Sequence, residues 1–69
     1  MKLQPVESSA VTHMGYDATA KVVRVIYAGG GVYDYLGVPQ SVYTRILLAD
    51  SIGAAINELL KRYPYQQIR

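Results

Sequence analysis

The sequence predicts an α+β fold: a three-stranded antiparallel meander followed by a two-helix hairpin packed on one sheet face, in the order β-β-β-α-α. Two observations lead there. First, residues 21–28 (Lys-Val-Val-Arg-Val-Ile-Tyr-Ala) and 32–36 (Val-Tyr-Asp-Tyr-Leu) read as strands on either side of Gly29-Gly30-Gly31. Two β-rich runs joined by a short glycine loop are a hairpin signal. Second, Ile52, Ala55, Ile56, Leu59, Leu60 and Tyr63 recur at helical spacing, so they line one stripe of an amphipathic helix. Strands gathered before helices point to a segregated sheet and helix layer rather than alternating βαβ units.

Residues 1–7 read as a loose lead-in containing Pro5. Residues 8–16 (Ser-Ser-Ala-Val-Thr-His-Met-Gly-Tyr) have the β-branched and aromatic content of a first strand, with Gly15 weakening its end or marking a bulge. Asp17-Ala18-Thr19-Ala20 is a turn in which the Asp17 carboxylate can accept from the backbone beyond it. In the hairpin, Val23, Val25, Tyr27, Tyr33 and Tyr35 share one face, while Val22, Arg24, Ile26, Val32, Asp34 and Leu36 share the other. The first face carries no charge. Burying a charge is expensive, so this is the face expected to meet the helices.

Gly37-Val38-Pro39 ends the sheet, and Pro39 suits a first helical turn, where its missing N–H costs nothing. Over residues 39–49, Val42, Ile46 and Ala49 form an apolar stripe with Tyr43 and Leu47 beside it. Asp50 or Ser51 can cap the second helix. Pro64 stops it, and Lys61 and Arg62 fall in its last turn, where cations are favoured.

With 69 residues, 51% of them hydrophobic and 17% charged, the chain has the composition of one small globular domain, with an ordered core expected over about residues 8–65. No apolar run approaches the ~20 residues of a membrane span. Met1-Lys2-Leu3-Gln4-Pro5 lacks the apolar stretch of a signal peptide. The absence of Cys excludes disulfides and thiolate metal sites and fits a reducing compartment, so the expected location is the cytoplasm.

Charge is unevenly placed. The net charge is +2, yet residues 1–60 are net −1 and residues 61–69 are +3. Tyr63 and Tyr65 lie among the C-terminal cations Lys61, Arg62 and Arg69. Cation plus aromatic is the chemistry that holds phosphate and stacks bases. Cations at a helix end and basic tails also serve the helix dipole and solubility. Tyr33-Asp34-Tyr35 invites two readings as well: rings stacking on bases, as on RNA-binding sheets, or a core pair with hydroxyls at the rim.

Enzyme chemistry finds little purchase. His13 is the single histidine, so it cannot build a zinc site unaided. A triad assembled from Ser8, Ser9, Ser41 or Ser51 with His13 and an Asp is recognisable only by geometry. Gly29-Gly30-Gly31 lacks the Lys-Ser/Thr of a phosphate loop and leads into a strand, not a helix. The expectation is a non-enzymatic module with no cofactor and no metal.

Taken in order, Gly15-Tyr16-Asp17, Val23-x-Val25-x-Tyr27, Gly30-Gly31-x-Tyr33-x-Tyr35, Val38-Pro39-x-x-Val42-Tyr43, Ala49-x-Ser51-x-Gly53 and Tyr63-Pro64-Tyr65 form a series that closely resembles the KTSC domain. The family takes its name from the C-terminus of some lysyl-tRNA synthetases and also occurs as free-standing bacterial and phage proteins. The resemblance spans about residues 8–65, and the family's Tyr-x-Tyr maps onto Tyr33 and Tyr35. One departure stands out. After Ser51-x-Gly53, members usually show an aromatic pair before Asn, whereas this chain has Ala55-Ile56-Asn57 and then Leu59-Leu60. The family brings no catalytic residues; its synthetase connection implies RNA binding.

Two function classes follow. One is an RNA-binding module in which Lys61, Arg62 and Arg69 contact phosphate, Tyr63 and Tyr65 stack, and Arg24 and Arg45 extend the surface. The other is a protein-interaction or self-assembly module that uses Val22, Ile26, Val32 and Leu36 on the face the helices leave open. Neither calls for a membrane.

Overall fold

The computed structural model describes residues 1–69. Its strands are β1 (Leu3–Pro5), β2 (Val11–Asp17), β3 (Val22–Tyr27), β4 (Val32–Leu36) and β5 (Tyr65–Gln67); its helices are α1 (Gln40–Leu47) and α2 (Ile52–Leu59), the latter running into a 3-10 turn over Leu60–Arg62. The α+β class and the helical pair are as the sequence predicts. The sheet is larger. It has five antiparallel strands in the order β1-β2-β3-β4-β5, so a strand precedes the expected meander and another follows the helices.

Both added strands lie at sheet edges, and every residue in them is exposed. β1 carries Pro5, which has no amide hydrogen to donate and is tolerated in a sheet only at an edge. Gly15 also departs from expectation. It lies within β2, paired with Leu3 and Arg24, and the irregularity in the ladder falls between Val11 and His13 instead. A Cβ on Gly15 would come within 2.8 Å of both the Leu3 side chain and the Lys2 carbonyl, and 3.1 Å of the Met1 side chain. Glycine is therefore what lets the N-terminal segment lie directly on β2.

The turn after β2 forms as its chemistry requires: Asp17 Oδ1 accepts from the amides of Thr19 and Ala20 at 3.0 and 3.1 Å. Between the helices, Ser51 rather than Asp50 is the cap. Its hydroxyl accepts from Ala54 N at 3.2 Å.

The uncharged sheet face is the one the helices cover. Met14, Val23, Val25 and Tyr35 from the sheet, Ile46 from α1, Ala55 and Ile56 from α2, and Leu60 from the 3-10 turn form one buried cluster with Val11 and Val38. Ala55 and Ile56 are thus core residues. Tyr16 and Tyr43 stack with centroids 5.2 Å apart, the Tyr16 hydroxyl donates to Val38 O at 2.7 Å, and Gln4 Nε2 donates to the Tyr43 hydroxyl at 3.3 Å. That chain of contacts ties β1, β2 and α1 together, and burial pushes the Tyr43 phenol above its ordinary pKa.

On the opposite face, Arg24 and Asp34 sit directly across from each other on β3 and β4. They form a two-point pair, Nε to Oδ1 at 2.7 Å and an Nη to Oδ2 at 2.9 Å. This geometry matches the planar guanidinium to the carboxylate and allows Asp34 to be buried. Hydrogen bonding to Asp34 raises the Arg24 pKa further.

Candidate functional site: a tyrosine groove at the sheet end

The segment from Leu60 to Gln67 builds one wall of a groove. Leu60 is fully buried and anchors the 3-10 turn, while its neighbour Lys61 is exposed. Tyr63 packs against the core, and Pro64 O accepts from Leu36 N at 2.8 Å. The chain is thereby delivered to the edge of β4, where Tyr65 pairs with Tyr35 and Gln67 with Tyr33. Lys61 and Tyr65 end up on one groove, together with Tyr27, Tyr33, Tyr35 and the hairpin glycines Gly29 and Gly31. The groove encloses about 550 Å³ and is open to solvent.

Its rings form a continuous array. Tyr65 lies against both Tyr33 and Tyr35, with centroids at 5.6 and 5.8 Å and tilts of 52° and 42°. Tyr33 meets Tyr27 edge to face at 5.5 Å. The hydroxyls of Tyr27 and Tyr35 are 2.7 Å apart, so one donates to the other. Burial, with this hydrogen bond second, pushes the Tyr27 phenol far above the ordinary tyrosine range, so it stays neutral across physiological pH.

The hairpin is shaped for close approach. Gly30 has φ +100°, a conformation that side chains rarely adopt, and a Cβ on Gly31 would come within 3.1 Å of Tyr33 Cε1. Glycine at 31 therefore leaves the space that the Tyr33 ring occupies.

The residues expected to bind RNA do not form one surface. Lys61 and Tyr65 line the groove. Arg62 and Arg69 are exposed near it in sequence, and the Arg69 carbonyl accepts from Val32 N at 3.0 Å beside the hairpin. Tyr63 is a packing residue. Arg45 is exposed on α1. Arg24 lies on the opposite sheet face and is engaged by Asp34, so it does not extend the groove. Tyr33 and Tyr35 divide between the two readings: Tyr35 is core at 3% exposure, and Tyr33 is partly buried with a share in the groove.

Val22, Ile26, Val32 and Leu36 lie on the face away from the helices, each half-buried. His13 is half-exposed, its Nδ1 3.1 Å from the Thr12 hydroxyl. No three His, Cys, Asp or Glu side chains cluster closely enough to hold a metal ion. No helix is long and apolar enough to cross a membrane.

Sequence reasoning missed Tyr27, Gly29 and Gly31 as groove residues. The available signal was the Tyr27-x-Gly29-x-Gly31-x-Tyr33 alternation, which sets two rings on one face with glycines between them.

The KTSC domain model matches residues 7–65 of this chain. The chain belongs to the KTSC domain family. A protein of Tsukamurella paurometabola is 39% identical over 59 residues, covering 86% of this chain and 88% of that protein. An uncharacterized protein of Stutzerimonas stutzeri is 33% identical over 69 residues, covering 100% and 97% of the two chains. The crystal structure of a KTSC domain protein from Yersinia pestis superposes with a TM-score of 0.95 at 29% identity, covering 99% of this chain and 97% of that one. The backbone of this chain thus follows that of a solved KTSC domain nearly end to end.

Proposed function

We propose that this KTSC domain is a non-enzymatic RNA-binding module that stacks unpaired bases on Tyr65 and Tyr33 and sets Lys61 on a phosphate. The observation that carries this reading is the solvent-open groove in which four tyrosines and one lysine meet. Tyr65 is 61% exposed in spite of its large apolar ring. Aromatic platforms with flanking cations bind single strands with little sequence preference because every base has a π-face. The family's link with lysyl-tRNA synthetases runs in the same direction.

The electrostatic footprint is small. Lys61, Arg62 and Arg69 are the only basic residues in the C-terminal nine, and the rest of the chain is net acidic. Three phosphate contacts on a single strand correspond to a log–log salt slope of about −2. Binding is thus expected to be modest and to rely on stacking. The second reading, a protein-interaction surface, draws on the half-buried Val22, Ile26, Val32 and Leu36 of the uncovered face.

The test is anisotropy of a dye-labelled single-stranded RNA over a salt series, with a duplex of the same sequence as control. Wild type should bind the single strand with a slope near −2, and K61E/R62E should abolish binding while leaving the circular dichroism spectrum unchanged. Equal affinity of wild type and K61E/R62E would overturn the reading and turn attention to the uncovered face.

A further inference from the structure

The groove's dimensions and polar groups say more than that it can stack bases. Its volume of about 550 Å³ falls within the ~300–1,000 Å³ typical of small-molecule sites, room for one nucleotide unit. Lys61 is the one cation in its lining, enough for one phosphate. Duplex RNA offers neither a free base face nor an unpaired base edge here.

The polar groups suit a base edge. The Tyr27 and Tyr35 hydroxyls satisfy one donor between them, and the accepting hydroxyl keeps its own proton to donate outward. The hairpin amides of Gly29 and Gly31 donate to no protein acceptor, whereas the Gly30 amide is used by Tyr27 O. A Cβ placed on Gly29 would meet nothing within 4 Å, so the wall there is bare backbone with open space before it.

We infer that the groove is a seat for a single nucleoside monophosphate unit, with the base against Tyr33 and Tyr65, its edge toward the Gly29–Gly31 backbone and the Tyr27–Tyr35 hydroxyl pair, and the phosphate on Lys61. This rests on the reading of the groove as an RNA site. It narrows that site to one unstacked nucleotide, at a strand end or in a loop. Arg62 and Arg69 then serve neighbouring phosphates outside the seat.

The experiment is an amide and tyrosine-ring NMR titration of the full chain with AMP, adenosine, inorganic phosphate and hexa-adenylate at low salt. AMP should shift Gly29, Gly31, Tyr33, Lys61 and Tyr65 together. Adenosine should shift the same glycines and rings with about fivefold weaker affinity, the scale of one exposed charge-assisted contact. Phosphate alone should leave the rings unmoved. In K61Q, whose site is exposed and outside the core, the difference between AMP and adenosine should vanish.

Hexa-adenylate that binds while AMP leaves the groove signals unmoved would overturn the seat and leave the RNA reading standing. K61Q that preserves the full AMP preference would overturn the phosphate assignment. AMP that binds as tightly as hexa-adenylate would keep the seat but reassign it to free nucleotides, against the RNA reading. No shifts with either ligand would remove both.

Discussion

Replacing Tyr65 with alanine separates binding from folding, because this ring is exposed enough to stack yet touches two others. Its centroid contacts with Tyr33 and Tyr35 are 5.6 and 5.8 Å. Aromatic pairs contribute ~0.5–1.5 kcal/mol each beyond area burial, and with 61% of the residue exposed the low end applies, so Y65A should cost about 1 kcal/mol of stability. For a domain of this size that is a fall in Tm of roughly 4–8 °C, which leaves the protein folded at room temperature. Binding should suffer more. One stacked base is worth ~1–3 kcal/mol by alanine substitution, so Kd for single-stranded RNA should rise about 5- to 150-fold. Y65F keeps the π-face and should bind within about twofold of wild type. Anisotropy for Kd and thermal circular dichroism for Tm read the two effects on the same samples. A folded Y65A that binds as tightly as wild type would refute the stacking role of Tyr65, and a Y65F as weak as Y65A would show that the hydroxyl, not the ring face, makes the contact.

Three further outcomes follow from the fold. Asp34→Ala leaves the partly exposed Arg24 without its two-point partner. It should cost about 1–2 kcal/mol, and R24M/D34L should recover most of it, as urea midpoints would show; an undiminished D34A midpoint would contradict the role given to the pair. Ser51→Ala removes the hydroxyl that accepts from Ala54 N and should cost ~1 kcal/mol by the same assay, whereas S51D should retain stability. The raised Tyr27 phenol sets an alkaline limit. Its folded pKa lies above the unfolded value of ~10, so its contribution is complete below about pH 10 and is lost as pH rises through the folded pKa. Y27F should therefore lower stability at neutral pH by about 1 kcal/mol through the lost hydroxyl contact, while flattening the alkaline fall; a wild-type urea midpoint that does not decline above pH 10 would contradict this.

The elements that carry period were legible in the sequence. The alternation in residues 21–28 and 32–36 located two strands and the face that meets the helices. The stripe from Ile52 to Tyr63 located α2 and its extension, and the core residues Ala55, Ile56 and Leu60 all belong to it. The edge strands were not legible, for a physical reason. β1 and β5 have three residues each, all exposed, and their partners supply the pairing rather than any apolar face of their own. Pro5 reads as a breaker unless the edge position is already known.

The site was half legible for the same reason. Lys61 and Tyr65 stood out as cation beside aromatic, but only β5 pairing with β4 brings Tyr65 onto Tyr33 and Tyr35 and turns a basic tail into a groove. Without that strand, Tyr27 has no reason to be more than core, and Tyr33 stands between a stacking ring and a core ring. Alternation already set Arg24 on the same face as Asp34; the register that places the two directly opposite is what engages its guanidinium and removes it from an RNA surface.

Intermolecular NOEs between the isotope-labelled protein and a short unlabelled single-stranded RNA would report directly on which surface meets the bases. Cross-peaks from base protons to the Tyr33 and Tyr65 rings, with none to Val22, Ile26, Val32 or Leu36, are the expected result. Saturated binding with cross-peaks confined to the Val22, Ile26, Val32 and Leu36 face, or with none to either tyrosine, would contradict the groove as the RNA site.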